Sequence, residues 1–275
     1  MKKNNIVISI IMLVGLLLGN ACSAQEGGSR QVRLEPARGL CEVSACEGGE
    51  DGSKCIRFRL HNPGPVSEGD TLEPLPLVIF LHGAGERGRD NEGQMRLCVP
   101  YLLSDEVQSK QRFRLLLPQC PEEYRWAETD WTLLKHTMPE HPSVPMEAVM
   151  AMLDRLIAEG MADPDRVYIM GISMGGFGTW DALQRWPERF AAAIAICGGG
   201  DPKYVDNVKK VPLKIFHGRK DKLVKVCRSQ DMYNAIIGAG GKKASLKIYD
   251  NLGHFCWDEA MKTPGLFEWL FSNRR

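Results

Sequence analysis

Strand-length apolar runs alternate with helical patterns along the sequence, and this alternation limits the possible folds more than any other feature. Such runs suit strands that are buried on both faces of a sheet, and they occur at Leu75–Leu81, Phe113–Leu117, Val167–Met170, Ala191–Cys197, Leu213–Phe216 and Ser245–Tyr249. The helical patterns are Pro145–Glu159, Gly175–Arg185, Ser229–Gly238 and Asp258–Phe271. We therefore predict an α/β fold with a mostly parallel central sheet and helices on both faces, in which the loops at the carboxyl ends of the strands hold the functional residues.

Residues 25–74 predict an antiparallel edge of this sheet. Gln31–Leu34 and Cys55–Leu60 have the composition of strands, and apolar residues alternate along the second of them. The Cys-rich stretch between them is predicted to be a loop. Asn62–Pro74 is rich in turn-forming residues and predicts a connection to the core, which occupies residues 75–275.

Residues 1–24 have the pattern of an export signal. Lys2 and Lys3 give a positive end, and Ile6–Leu18 forms an apolar core that is too short to span a bilayer. Two processing routes fit the small residues that follow: ordinary signal cleavage before Gln25, or lipid attachment at Cys22. We expect an exported protein, either periplasmic, secreted or held at the cell surface, with membrane contact only through a lipid on Cys22.

Cysteine usage permits disulfides but predicts no pairing. The sequence has nine cysteines, so an even number remains once Cys22 is set aside, and export favours disulfides. Cys41, Cys46 and Cys55 lie in the Cys-rich stretch, where a covalent clip would restrain a loop. Zinc is the alternative for these thiols, but neither a CxxC pair nor a suitably spaced histidine accompanies them.

The near-zero net charge of the chain argues against partners that bind through a strong electrostatic field. The sequence has 35 Lys and Arg against 34 Asp and Glu, a net charge of +1. Nucleic-acid binding depends on basic patches that neutralise phosphates, and this balance provides no such excess. We therefore predict no nucleic-acid partner.

A GxSxG motif at residues 171–175 provides a candidate nucleophile, Ser173. It directly follows the predicted strand Val167–Met170 and precedes the helix Gly175–Arg185, which is the context in which a strained strand-to-helix turn exposes a serine hydroxyl. The glycines leave room for the crowded backbone. The alternative is a glycine-rich turn with a capping serine, which predicts nothing about the rest of the chain.

A serine nucleophile needs a base within hydrogen-bond reach, and in this kind of fold the base is the last of the three residues in chain order. Two histidines follow Ser173. His254 lies in a loop after the last predicted strand, beside Gly253, and we predict that it is the base. His217 comes straight off a strand and is interpreted as structural.

The acid that orients the base is predicted to be Asp221, in the sequence HGRKD after the strand Leu213–Phe216. A carboxylate at that loop position can reach the far nitrogen of the histidine. Asp201, after the preceding strand, and Asp250, four residues before His254, remain rivals; Asp250 more readily caps a turn.

The glycine-rich sequence HGAGERG follows the strand Leu75–Leu81, the position from which such a fold takes an oxyanion donor. We assign the donors to the backbone N–H groups of Ala84 and Met174. His82 is predicted to shape this loop. A phosphate-binding loop is excluded because no GK[ST] follows the glycines.

With these motifs in place, the chain resembles the predicted-peptidase or phospholipase/carboxylesterase-like branch of the α/β-hydrolases, which is related to feruloyl and acetyl-xylan esterases. The matching sequences are LPLVIFLHGAGERGRDN, LLLPQCPEEYRW, DRVYIMGISMGGFGTWDAL, FAAAIAICGGGDP, IFHGRKDKLV and GHFCWDEA. The resemblance implies that residues 75–275 form a catalytic core without a cofactor or metal. It also gives Trp126 and Trp131 a place in the acyl or alcohol pocket. Nothing resembles a large lipase lid, which argues against long-chain lipids.

The resulting hypothesis is a serine esterase that cleaves short acyl, acetyl or feruloyl esters, on small molecules or polysaccharides, through an acyl-enzyme. A serine peptidase with the same triad is the enzymatic alternative. A non-catalytic binding protein on this fold is the alternative from a different class. The sequence does not predict an oligomeric state or the acyl group.

Overall fold

The computed structural model describes residues 31–37, 40–46, 55–63 and 74–275. These residues form one sheet of nine strands: β1 (Gln31–Ala37), β2 (Leu40–Cys46), β3 (Cys55–His61), β4 (Leu75–Leu81), β5 (Arg114–Gln119), β6 (Ala162–Ile172), β7 (Ala192–Ile196), β8 (Leu213–Gly218) and β9 (Ala244–Tyr249). The strand order is β1-β2-β3-β5-β4-β6-β7-β8-β9. The strands β4 to β9 are parallel, while β1, β2 and β3 are antiparallel to their neighbours at one edge. The predicted mostly parallel sheet and its antiparallel N-terminal edge are confirmed.

In the described ranges, eight helices accompany these strands: α1 (Val99–Leu102), α2 (Asp105–Gln108), α3 (Val144–Ala158), α4 (Met174–Arg185), α5 (Val205–Val208), α6 (Cys227–Gly238), α7 (Trp257–Met261) and α8 (Leu266–Ser272). Short 3₁₀ turns lie at Ala84–Glu86, Gly93–Met95, Pro187–Arg189 and Pro202–Tyr204. The sequence explains where α3 begins. Ser143 Oγ accepts a hydrogen bond from the backbone N–H of Met146, and Pro145 has no N–H group that would be left unpaired in the first turn.

The core has two layers because alternate residues of a strand point to opposite faces. In β4, Leu77, Ile79 and Leu81 pack on one face with α3, α4 and α6. Val78 and Phe80 pack on the other face with α1, α2, α7 and α8. Full burial of each large apolar side chain is worth about 1.5–3 kcal/mol, so both layers stabilise the sheet that positions the site.

The parallel register brings the ends of four strands to one edge of the sheet. Leu81 pairs with Gly171, Ile172 with Ile196, and Ile196 with Phe216. The loops after β4, β6, β7 and β8 therefore leave the sheet side by side, as predicted for functional loops at carboxyl ends.

Two predicted elements differ from the structure. Leu40–Cys46, predicted as part of a loop, is strand β2, and its backbone pairs with β1 on one side and β3 on the other. The predicted helix Asp258–Phe271 is divided into α7 and α8. Pro264 lacks an N–H group, and Gly265 has a left-handed φ of 71°, so the helix cannot continue through them.

Cys22 and the rest of the predicted export signal lie outside the described residues. Within the described part of the chain, no helix is long and apolar enough to cross a membrane. The disulfide prediction finds no support there, since Cys98, Cys120, Cys197, Cys227 and Cys256 are free. The Sγ atoms of Cys197 and Cys256 come within 3.1 Å, which is longer than the ~2.05 Å of a disulfide.

Candidate active site

Ser173 lies in the turn between β6 and α4, where its backbone has an unusual conformation. Its φ is 53° and its ψ is −117°, a strained combination for a residue with a side chain. A Cβ on Gly175 would lie 1.9 Å from the carbonyl oxygen of Leu81, and one on Gly171 would lie 2.2 Å from that of Gly175. The two glycines of the motif are therefore required by space, and the turn projects the Ser173 hydroxyl beyond the sheet.

A chain of hydrogen bonds joins the three residues that the sequence predicted as nucleophile, base and acid. Ser173 Oγ is 2.8 Å from His254 Nε2, and His254 Nδ1 is 2.7 Å from Asp221 Oδ2. Because a carboxylate only accepts hydrogen bonds, Nδ1 carries the hydrogen and Nε2 is left to accept from the serine hydroxyl. This arrangement makes the serine a better nucleophile and the imidazole a base.

Asp221 is held in one orientation by four groups. Its Oδ1 accepts the backbone N–H groups of Leu223 and Val224 at 2.8 and 2.9 Å. Its Oδ2 faces His254 and also lies 3.2 Å from Nε2 of His217. Burial alone would raise the pKa of Asp221, but the hydrogen bonds from His217 and His254 hold that pKa well below its ordinary value. The carboxylate is therefore ionised at neutral pH.

The contact of His217 with Asp221 was not predicted, although His217 was interpreted as structural. Its ring is fully buried, with Nε2 at 2.9 Å from the carbonyl of Val224 and Nδ1 at 2.7 Å from Ser229 Oγ. The spacing of four residues between His217 and Asp221 is the signal that could have revealed the contact.

The two rival carboxylates are engaged elsewhere. Asp201 caps the turn Pro202–Tyr204 by accepting the N–H of Lys203, and its second oxygen accepts the N–H of Met138. Asp250 is exposed and pairs with Arg219. Neither carboxylate bonds to His254.

The predicted oxyanion donors belong to the loop after β4 and to the start of α4, the helix that follows Ser173. Met174 is the first residue of α4, where backbone N–H groups have no partner inside the helix. Ala84 opens the 3₁₀ turn after β4. Among the described residues, neither N–H group has a hydrogen-bond acceptor, so both are available to a developing negative charge.

His82 fixes the loop that carries Ala84. Its Nδ1 lies 2.6 Å from the carbonyl of Gly83, and its Nε2 accepts the N–H of Cys120 at 2.9 Å. Burial lowers the pKa of His82 to about 4, because a cation is poorly solvated there. The ring is therefore neutral, and it joins two loops rather than acting as a base.

Trp126 has a structural role, and its predicted role in substrate binding is wrong. It has no exposed surface, so a substrate could not contact it. Its Nε1 donates to the carbonyl of His82 at 3.0 Å, and its Cβ occupies the space that a side chain on Gly178 would need. Trp126 thereby packs the oxyanion loop against α4.

Trp131 is half-buried and contacts a small apolar cluster of Ala127, Phe177 and Val224. Phe177 lies one turn after Ser173 on α4, and its N–H donates to the Ser173 carbonyl at 3.1 Å. Val224 belongs to the loop of Asp221. This cluster, which we call the apolar wall, therefore joins the helix of the serine to the loop of the acid. Phe177 was not predicted from the sequence, although its i+4 spacing from Ser173 places both on one helical face.

One group of side chains could hold a metal by distance alone. Ligand atoms of Cys197, His217 and Asp221 lie within 4.8 Å of one another. His217 Nε2, however, faces the Val224 carbonyl and must carry a hydrogen, so it has no lone pair to offer. A thiol hydrogen bond with Cys256, followed by burial, raises the pKa of Cys197, which keeps the thiol protonated. We assign the group to hydrogen bonding around Asp221.

Known proteins match this chain in a family model, in sequence and in structure. The model of the prolyl oligopeptidase family matches residues 130–214, a segment that contains Ser173 but ends before Asp221 and His254. A probable carboxylesterase SOBER1-like protein from Arabidopsis thaliana is 26% identical over 213 residues, which are 70% of this chain and 77% of the relative. Feruloyl esterase B from Neurospora crassa is 29% identical over 167 residues, which are 60% of this chain and 52% of the relative.

Among solved structures, that of a thermostable esterase superposes with a TM-score of 0.75 at 34% sequence identity, over 86% of this chain. This chain spans 64% of that protein. The structural match thus covers far more of the chain than the segment matched by the prolyl oligopeptidase model.

Proposed function

We propose that this chain is a serine ester hydrolase of the α/β-hydrolase fold, in its esterase-like branch, and that Ser173, His254 and Asp221 cleave short acyl or aromatic esters. The observation that carries the proposal is the hydrogen-bond chain from Ser173 Oγ to His254 Nε2 at 2.8 Å and from His254 Nδ1 to Asp221 Oδ2 at 2.7 Å. These distances lie in the range that proton transfer requires.

In the acylation step, Ser173 Oγ attacks the ester carbonyl carbon while His254 Nε2 takes the hydroxyl proton. The carbonyl oxygen becomes negative and accepts hydrogen bonds from the N–H groups of Ala84 and Met174. His254 then gives its proton to the leaving alkoxide as the C–O bond of the ester breaks. The products of this step are the free alcohol and an acyl group on Ser173.

Deacylation repeats the sequence with water. His254 takes a proton from a water molecule, whose oxygen attacks the acyl carbon of the intermediate. The carboxylic acid leaves, and the proton returns to Ser173 Oγ. Asp221 stays ionised throughout and stabilises the imidazolium, because its pKa lies well below its ordinary value.

The surroundings of Ser173 favour acyl groups that are short or aromatic. The apolar wall of Ala127, Phe177 and Val224 is itself buried, so it supports the helix of Ser173 and the loop of Asp221, and contact with the acyl group falls to exposed side chains nearby. Phe255, beside His254, is 73% exposed, and Leu223, beside the acid loop, is 58% exposed. Exposed apolar side chains beside the base and the acid suit the aryl or alkyl part of an ester. We extend the proposal to acetyl and feruloyl esters on polysaccharides.

The second candidate function is a serine peptidase that uses the same three residues. The match to the prolyl oligopeptidase family over residues 130–214 favours it. Against it stands amide chemistry, which needs a leaving amine to be protonated and a longer peptide to be held in register. A peptidase would turn over aminoacyl amides at rates comparable to esters.

The experiment that tests the proposal is hydrolysis of a substrate panel by the wild type and by Ser173→Ala. The panel contains 4-nitrophenyl acetate, butyrate and palmitate, methyl ferulate, acetylated xylan and an alanyl 4-nitroanilide. We expect turnover of the short and aromatic esters, which vanishes in Ser173→Ala and persists in the surface control Ser272→Ala. Cleavage of the anilide at a rate comparable to that of the esters would favour the peptidase, and a folded wild type that is silent on every substrate would favour a non-catalytic binding protein.

We also propose that the enzyme acts outside the cytoplasm. The support is the sequence of residues 1–24, with Lys2, Lys3 and an apolar core before Cys22. Cell fractionation of the full chain tests this proposal. A protein that stays in the cytoplasm with an intact N-terminus contradicts it, and loss of membrane association in Cys22→Ser would identify the lipid-bearing form.

A further inference from the structure

Arg228 is a buried cation at an unfavourable position. Only 3% of its surface is exposed, and it is the second residue of α6, where the partial positive charge of the helix dipole repels a cation. Burial lowers the pKa of Arg228, because the charged form loses its hydration. A buried side chain that stays charged at a helix N-terminus needs a nearby anion to compensate for its lost hydration.

Among the described residues, no carboxylate lies within 4 Å of the Arg228 guanidinium, and its Nε has no hydrogen-bond partner although that atom is buried. Asp201 and Asp231 act on Arg228 from beyond ion-pair distance. Both oxygens of Asp201 already accept backbone N–H groups, from Lys203 and Met138. The described residues therefore leave the cation without a direct counterion.

The direct contacts of Arg228 add another donor and an aromatic face. Nη2 of Arg228 donates to Nδ1 of His136, which leaves the hydrogen of the neutral ring on Nε2. Burial, followed by the charge of Arg228, lowers the pKa of His136 to about 4, so the ring is neutral at pH 7. The guanidinium carbon also lies 5.3 Å from the centroid of the Phe177 ring. The pair of Arg228 and His136 thus offers N–H groups and no acceptor.

This pair is connected to the reacting serine through Phe177. Phe177 belongs to the apolar wall with Ala127 and Val224, and its backbone N–H bonds to Ser173. His136 also lines an open cleft of about 750 Å³, whose charged residues are Lys135, Lys203, Asp201 and Asp231. Arg228 therefore contacts both a residue of this cleft, His136, and a residue of the apolar wall, Phe177.

We propose that Arg228 and His136 form a subsite for a carboxylate group of the ester substrate. The inference rests on the proposed function and deepens it, because it names the class of substrate: an ester that also carries a free carboxylate. A planar carboxylate fits the fork of guanidinium N–H groups, and His136 Nε2–H donates a further hydrogen bond. Near the start of α6, the anion is favoured by the same dipole that disfavours Arg228 alone.

The carboxylate can belong to the acyl part or to the alcohol part of the ester, and matched substrate pairs distinguish the two. Mono(4-nitrophenyl) succinate and 4-nitrophenyl valerate differ by a carboxylate on the acyl chain. 4-Acetoxybenzoate and 4-acetoxybenzamide differ by a carboxylate on the alcohol part. We expect the wild type to prefer the anionic member of one pair by about 10- to 100-fold in kcat/KM, the range of a charge-assisted hydrogen bond. Added salt should reduce this preference.

Two variants test which residues produce the preference. Arg228→Gln should remove it, with the loss confined to kcat/KM of the anionic ester and the neutral ester changed by less than about 3-fold. His136→Gln keeps the charge and should reduce the preference less. Arg219→Gln, which removes an exposed arginine paired with Asp250, is the matched control and should change nothing.

The outcomes separate this inference from the proposed function. A wild type that hydrolyses neutral esters through Ser173 but shows no preference in either pair overturns the carboxylate subsite and leaves the esterase intact. An equal loss on neutral and anionic esters in Arg228→Gln, with a lowered melting temperature, gives Arg228 a structural role and also overturns the subsite. Absence of all Ser173-dependent hydrolysis overturns both.

Discussion

Nδ1 of His254 lies 2.7 Å from Oδ2 of Asp221, and this contact decides which nitrogen of the imidazole faces the serine. Since the carboxylate can only accept, the hydrogen of the neutral ring sits on Nδ1. Nε2 then points its lone pair at Ser173 Oγ. Any change that turns Asp221 into a donor reverses this order and removes the base.

Asp221→Asn makes that change with almost no change in shape. The amide oxygen would take the place of Oδ1 and accept the N–H groups of Leu223 and Val224, which leaves the NH₂ group facing His254. We expect kcat for 4-nitrophenyl butyrate to fall by about 10³- to 10⁴-fold at pH 7.5, with little change in melting temperature. Asp250→Asn, in an exposed ion pair, is the control. Retention of a tenth of the activity by Asp221→Asn would contradict the assignment of the acid.

Ala84→Pro tests the oxyanion donor on the loop after β4, because proline removes the N–H group. The backbone accepts the change: Gly83 is extended, as a residue before proline prefers, and Ala84 is the first residue of a 3₁₀ turn. We expect kcat to fall by about 10²- to 10³-fold. Ala84→Ser keeps the N–H group and should keep kcat within about 3-fold. Equal kcat values for the proline and serine variants would exclude Ala84 as a donor.

Gly175→Ala and Gly85→Ala compare two glycines of the site that differ in the space around them. A Cβ on Gly175 would meet the Leu81 carbonyl oxygen at 1.9 Å, while nothing lies within 4 Å of one on Gly85. We expect Gly175→Ala to lower the free energy of unfolding by about 4 kcal/mol or more, or to prevent folding. Gly85→Ala should stay within about 1 kcal/mol of the wild type. Urea titrations measure both, and similar midpoints would contradict this description of the turn.

The pKa of His82 predicts a loss of stability in acid. Burial lowers it from an ordinary 6.5 to about 4, so between these values the unfolded chain binds a proton that the folded chain does not. The contribution of neutral His82 to the free energy of unfolding is therefore complete above about pH 6.5. It falls towards pH 4, by about 3 kcal/mol in total. The free energy of unfolding of His82→Gln, which does not titrate, should fall less over this range. Parallel curves for the two proteins would show that His82 does not contribute.

The fold and the chain order of nucleophile, acid and base could be predicted from the sequence, because both depend on local patterns. Apolar runs identified β4 to β9, and the GxSxG motif between a strand and a helix placed Ser173 at the sheet edge. The strand β2 escaped prediction because its cysteines and glutamates hide the alternation, and its pairing with β1 and β3 depends on distant residues. The end of α7 was also missed, although Pro264 and Gly265 signal it.

The environment of each side chain was less predictable than its position in the chain. Trp126 was expected in the pocket, but an aromatic residue in a loop does not reveal whether it faces substrate or packs under the oxyanion loop. Arg228 drew no attention in the sequence, because its unfavourable burial and its contacts with His136 and Phe177 arise only in the folded chain. Contacts between distant elements thus carry the substrate preference that we infer.

Ser173 is tested as the nucleophile by its covalent reaction with diethyl 4-nitrophenyl phosphate, followed by mass spectrometry of the intact protein and its peptides. We expect one diethylphosphoryl group, located on Ser173, with loss of ester hydrolysis in parallel with labelling. His254→Gln should label far more slowly, and Ser173→Ala should neither label nor hydrolyse esters. A label on another residue that abolishes activity, or full ester hydrolysis by Ser173→Ala, would show that Ser173 is not the nucleophile.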